Sequence, residues 1–242
     1  MSGRAACLLL SAFATVLVLG GCAKPQQLTV APRAKVQPAF TYEPMRCRPA
    51  RDIPVEPPKA VVQPQPRPAL PDHDAAWLVQ GPERPWRYIV VHHSATHRGS
   101  AASFDAWHRN HNGWDELGYH FVIGNGSLTP DGFVETGSRW PKQKHGAHCK
   151  VGDDETYNDW GIGICLVGNF EREQPTEAQM CALARLVDYL RVKYTIPDRC
   201  IIGHGDVDQT RCPGRNFSFG NLFSRLRQRE AVREALARTG GS

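Results

Sequence analysis

The sequence predicts an α/β fold, a single mixed β-sheet flanked by helices on both faces, and three observations predict it. Short β-branched runs at Ile89-Val90-Val91, Ile162 to Val167 and Ile201-Ile202 are separated by stretches of helix length. Residues 177 to 194 place Met180, Leu183, Val187, Leu190 and Tyr194 along one helical face. Two of the apolar runs end in histidine, His92-His93 and His204, at the strand ends where open sheets place their ligands.

Taken in order, residues 1 to 21 hold Arg4, an apolar run from Ala5 to Leu19 and Gly20-Gly21, which has the form of an export signal rather than a spanning helix. Leu19-Gly20-Gly21-Cys22 resembles a bacterial lipobox, so Cys22 is expected to be acylated. The alternatives are an ordinary cleaved signal or an uncleaved anchor. More than one acyl chain would hold the protein at a membrane, and Ala23 resembles the outer-membrane sorting pattern of Gram-negative cells. Residues 22 to 80 are rich in Pro, Gln, Ala and Arg and read as a disordered, semi-rigid tether. The expected result is an exported, membrane-anchored, periplasm-facing lipoprotein with one folded domain over 81 to 230 and a flexible tail over 231 to 242. A domain of about 150 residues is long enough for one buried core.

Within that domain, Tyr88 to Val91 is a strand. Ser103 to about Asn112 is a helix with Phe104, Trp107, His108 and His111 on its packed face. Tyr119 to Ile123 is a strand, and Asn125-Gly126 and Asp131-Gly132 mark turns of a hairpin ending near 136. Residues 140 to 159 form a long loop of the kind that carries function. After the strand at 162 to 167, Thr176 and Gln179 form a capping box on the longest helix. Pro197 separates this helix from the strand Cys200 to Ile202. A last helix starts near Phe219, docks through Leu222, Phe223 and Leu226, and frays beyond about 228.

Composition narrows the function. The chain has 242 residues and a formal charge of +5; removing a leader with Arg4 and no acidic residue leaves +4. There is no Lys/Arg run and no basic stripe interleaved with aromatics, so no nucleic-acid partner is expected. Of the eight cysteines, Cys181 and Cys200 are the pair most able to meet as a disulfide, with buried free thiols as the alternative.

The chemistry concentrates in IIGHGDVDQTRCPG, where His204 and Cys212 offer an imidazole and a thiolate, half of a catalytic zinc site. A third ligand must come from elsewhere, and RYIVVHHSAT offers His92 or His93. Their spacing does not decide between them, because neighbouring strand residues face opposite ways. Asp206 is placed to orient His204, through its ring or through the loop backbone.

IVVHHSAT, GYHFVI, HGAH and GHGDVDQTRCPG together resemble the type-2 family of zinc-dependent N-acetylmuramoyl-L-alanine amidases, which includes the peptidoglycan recognition proteins and the phage T7-type lysozyme. The resemblance implies one zinc ion per chain on His92, His204 and Cys212, with His93 in the layer behind. It implies that Tyr119 positions or deprotonates water beside the metal, that Thr210 donates to the oxyanion, and that His148 and Asn158 line a peptide groove. Thr210 stands where some members have lysine, which argues against a cationic clamp. Arg139, Trp140 and Trp114 are further candidates for contact with sugar or stem peptide. The activity implied is hydrolysis of the bond between N-acetylmuramic acid and L-alanine by a monomer. The other reading is a lipoprotein that binds peptidoglycan or muropeptides without cutting them.

Overall fold

The computed structural model describes residues 70–239. The expected export signal, the lipidation site Cys22 and the tether up to residue 69 lie outside the described residues. No helix among the described residues is long and apolar enough to cross a membrane.

Five strands form one mixed sheet in the order β3-β2-β4-β1-β5. They are β1 (Tyr88–His93), β2 (Phe121–Ile123), β3 (Val134–Thr136), β4 (Gly161–Leu166) and β5 (Ile201–Gly203). β2 and β3 pair antiparallel as the expected hairpin, and all other neighbours are parallel. β1 and β4 are buried along their whole length, as parallel strands covered on both faces must be.

Four helices cover the sheet: α1 (Ala101–Asn112), the short α2 (Thr156–Asp159), α3 (Glu177–Tyr194) and α4 (Phe219–Thr239). Ala101 and Phe104 of α1 pack with Leu117, Val122, Cys165 and Val167. The larger core joins α3 and α4, through Leu183, Leu186, Val187, Leu190, Leu222 and Leu226, to Ile89, Phe121, Ile162 and Ile164. The capping box on α3 forms as read: the Gln179 N–H donates to Thr176 Oγ1 and the Thr176 N–H to Gln179 Oε1.

Several expectations need correction. Folded structure begins before residue 81, because Trp77 is fully buried and its carbonyl accepts from Trp140 Nε1 at 3.0 Å. α4 does not fray at 228. Arg229 and Arg233 reach back to the buried carboxylate of Asp188, at 3.4 and 2.7 Å, and carry the helix into the stretch read as a flexible tail. α1 starts two residues early, capped by a Ser100–Ser103 box. Its His108 is buried as expected, while Trp107 and His111 stack on one another at the surface. β2 begins at Phe121 rather than Tyr119. His120 replaces the missing ladder with its ring: the Gly163 N–H donates to His120 Nδ1 and the His120 N–H to the Gly163 carbonyl.

The entry to β2 is held by Glu116, a buried carboxylate that accepts from Ser138, Lys142 and Lys144. Burial raises its pKa, but these three donors outweigh burial and bring it down to about 2. A carboxyl depressed below its unfolded value stabilises the fold fully above about pH 4.5, and this contribution disappears as pH falls toward 2. Glu116→Gln is therefore expected to cost about 2 kcal/mol at pH 7 and progressively less toward pH 2. Denaturant titrations of both proteins across that range test this.

Candidate metal centre

The loop from Gly203 to Gly214 closes on itself. The Gly203 N–H donates to Asp206 Oδ2 at 2.8 Å and the Gly205 N–H to the Cys212 carbonyl at 2.6 Å. The Cys212 N–H donates to Thr210 Oγ1 at 3.2 Å. Gly205 is required there, because a Cβ would lie 2.7 Å from the Thr210 carbonyl oxygen and 2.8 Å from that of Cys212. This closure brings His204 and Cys212 side by side although eight residues separate them. Asp206 acts through the backbone, the second of its two expected roles. The carboxylate that faces the His204 ring is Asp208, 3.3 Å from Nε2.

β1 delivers the third group. Ligand atoms of His92, His204 and Cys212 lie within 4.8 Å of one another, with His92 Nδ1 3.7 Å from Cys212 Sγ. The ambiguity between the adjacent histidines is thereby resolved. His93 faces away, its Nδ1 accepting the Phe170 N–H at 3.0 Å, while its own backbone N–H points at Cys212 Sγ. Burial first, then the imidazoles of His148 and His204, hold the His92 pKa well below the usual histidine value. Burial pushes the Cys212 thiol up to about 12, against the lowering effect of the His93 N–H. His204 Nε2 is buried, and its 3.3 Å approach to Asp208 is an ion-pair contact without the alignment of a hydrogen bond.

Two neutral imidazoles and one thiol that needs a cation to deprotonate suit a borderline-soft divalent metal. The residues present therefore fit zinc: His92, His204 and Cys212 would hold it.

Tyr119 lies beside this cluster, its ring centroid 5.2 Å from that of His92. Burial, with Cys165 and Cys212 close by, raises its pKa well above the usual phenol value, which favours the protonated, hydrogen-bond-donating form. Thr210 sits on the loop, its oxygen accepting from Cys212 and its own proton still available to donate.

The other candidates differ in how far they are buried. Arg139 is 2 % exposed and donates to the Leu117 and His145 carbonyls and to Asp115. Trp140 lies in the core, and Trp114 packs on His108. His148 and Asn158 are 8 % and 5 % exposed, so both side chains are largely buried. Asn158 Oδ1 accepts the backbone N–H groups of His148 and Cys149. Sequence reasoning missed Asp208, and it missed Cys165, which pairs in register with His92 across β1 and β4.

No disulfide joins Cys181 to Cys200: Cys181 is exposed and Cys200 is buried, so the alternative reading holds for Cys200. Among residues 70–239, alkylation of the native protein is expected to label Cys181 first. Cys149, Cys165 and Cys200 should react only on unfolding, and added zinc should suppress labelling of Cys212. Peptide mapping by mass spectrometry checks the order.

A family model described as N-acetylmuramoyl-L-alanine amidase matches residues 82–215. An N-acetylmuramoyl-L-alanine amidase of Sus scrofa is 30 % identical over 155 residues, 59 % of this chain and 23 % of that protein. Peptidoglycan-recognition protein LB of Drosophila melanogaster is 30 % identical over 152 residues, 59 % of this chain and 58 % of that protein. The chain thus spans less than two thirds of either relative. Among solved structures, the N-acetylmuramoyl-L-alanine amidase LysC from Clostridium intestinale URNW is similar, with 32 % identity and a TM-score of 0.51, covering 62 % of this chain and 93 % of that one.

Proposed function

The chain belongs to the N-acetylmuramoyl-L-alanine amidase family, and from that membership we propose that it hydrolyses the amide between N-acetylmuramic acid and L-alanine in peptidoglycan or muropeptides, with one zinc ion. The observation that carries this reading is the convergence of His92, His204 and Cys212, three residues remote in sequence, on one point at the strand ends. A bound zinc ion there supplies a Lewis acid that polarises the amide carbonyl and acidifies water.

The chain's own residues supply the rest. The protonated phenol of Tyr119 donates a hydrogen bond that orients the attacking water or the carbonyl oxygen. Thr210 donates its hydroxyl to the oxyanion from a position fixed by the Cys212 N–H. Neither brings a charge, so both would act on the tetrahedral oxyanion through directed hydrogen bonds alone.

Purified protein is expected to carry close to one zinc per chain and to release free stem peptides from a defined muropeptide, with a chelator blocking release. Cys212→Ser should abolish both properties. Tyr119→Phe and Thr210→Ala should each cut turnover, on the order of 100-fold for a lost oxyanion donor, with zinc retained. Binding of peptidoglycan without peptide release, by zinc-loaded protein, would instead identify a recognition lipoprotein.

The leader and the Pro-rich stretch support a lipid-anchored enzyme facing the periplasm, on the outer membrane if the cell is Gram-negative. Incorporation of labelled palmitate that is lost in Cys22→Ala, together with membrane fractionation, tests this. Label-free protein in the soluble fraction would refute it.

A further inference from the structure

His148 has both ring nitrogens engaged beside the site, and its partners form a directional chain. Its Nε2 lies 3.2 Å from the Gly161 carbonyl oxygen. A carbonyl only accepts, so Nε2 carries the proton. A neutral ring protonated there has its lone pair on Nδ1, which lies 3.1 Å from His92 Nε2. His92 Nε2 must then be the donor. With its proton on Nε2, His92 turns the lone pair of Nδ1 toward Cys212 Sγ, 3.7 Å away, where the metal ligands converge. The opposite tautomer of His92 would aim an N–H at the same point and could not ligate.

We propose that His148 is a positioning residue, which fixes the proton and the ring angle of His92 so that Nδ1 is presented to the metal. The proposal rests on the reading of His92 as a zinc ligand. A partner on the far nitrogen also raises the basicity of a ligating imidazole and restricts its rotation.

The surroundings of His148 serve this role rather than contact with substrate. Its backbone N–H is anchored on Asn158 Oδ1 at 2.8 Å. Its ring lies in a slot between two glycines: a Cβ on either Gly146 or Gly163 would collide with the imidazole. Glycine inside a strand often marks such a close approach, and Gly163 lies within β4. Both ring nitrogens are engaged within the chain, leaving no donor for a peptide carbonyl.

Two measurements test the proposal. In metal-free wild-type protein, long-range 15N spectra of the histidine rings are expected to show His92 and His148 both protonated on Nε2; a proton on Nδ1 of His92 overturns the proposal. Zinc competition against a chromophoric chelator is expected to show about 10–100-fold weaker binding in His148→Leu. His148→Gln should recover most of it, since an amide can donate to Gly161 and accept from His92. Gly163→Ala, which keeps the imidazole but displaces it, should weaken zinc binding as His148→Leu does. Thermal unfolding of each metal-free variant separates a loss of fold from a loss of ligand alignment.

If His148→Leu binds zinc as wild type does and only raises KM for a muropeptide, His148 is a substrate contact and the proposal fails. Wild-type protein that takes up no zinc would sink the amidase reading, while the ring-nitrogen spectra of metal-free protein would still decide the role of His148.

Discussion

The site depends on β1 being held along both edges. β4 pairs with it from Tyr88 to His93, and β5 pairs from Ile89 to Val91. Two parallel neighbours leave the strand no freedom of register, and both its faces are buried. A slip of one residue would exchange His92 for His93 and remove an imidazole from the cluster. The metal-ligand candidates on the 203–214 loop are positioned from the same frame, because β5 runs directly into Gly203 and His204. One end of the sheet thus presents both histidines, and a doubled-back loop adds the thiol.

Around this frame the buried histidines act as fixed dipoles rather than charges. Burial is the largest influence on His92, His93, His120 and His148, and in each case it disfavours the cationic form. His120 links β2 to β4 and, through Nε2, to the Lys144 carbonyl. His93 secures the Phe170 turn on the other side of the sheet. A neutral imidazole can accept on one nitrogen and donate on the other, so a chain rich in them can cross-brace loops and strands without burying net charge.

The fold was legible wherever periodicity and caps agreed. α3 begins where Thr176 and Gln179 place it and ends where the apolar stripe ends, before Pro197. The central parallel strands were visible as short apolar runs rich in Ile and Val. Boundaries set by long-range contacts were not visible: the buried Trp77 sits in a proline-rich context, and the final turns of α4 depend on an aspartate about 40 residues upstream. At the site, His204 and Cys212 stood out by residue type, and His92 followed from a strand-end argument and a family resemblance. His148 was noticed as a groove-lining candidate, but nothing in HGAH says that its ring is inserted under a strand. The glycine alternation in Gly161-Ile162-Gly163 was the available signal, because a strand gives up side chains only where something else needs the space.

The seating of Trp77 has a mechanical consequence. Its ring centroid is 5.8 Å from that of Tyr189 on α3, and its carbonyl holds the indole of Trp140. Any load arriving along the polypeptide from upstream of residue 70 therefore meets α3, Trp140 and, through the Thr136 hydroxyl on the Ala76 carbonyl, the edge strand β3 first. The central strand that carries His92 comes later in the path. An aromatic plug at the point of entry isolates the strand ends from whatever pulls on the amino-terminal side, much as a strain-relief collar protects a cable joint.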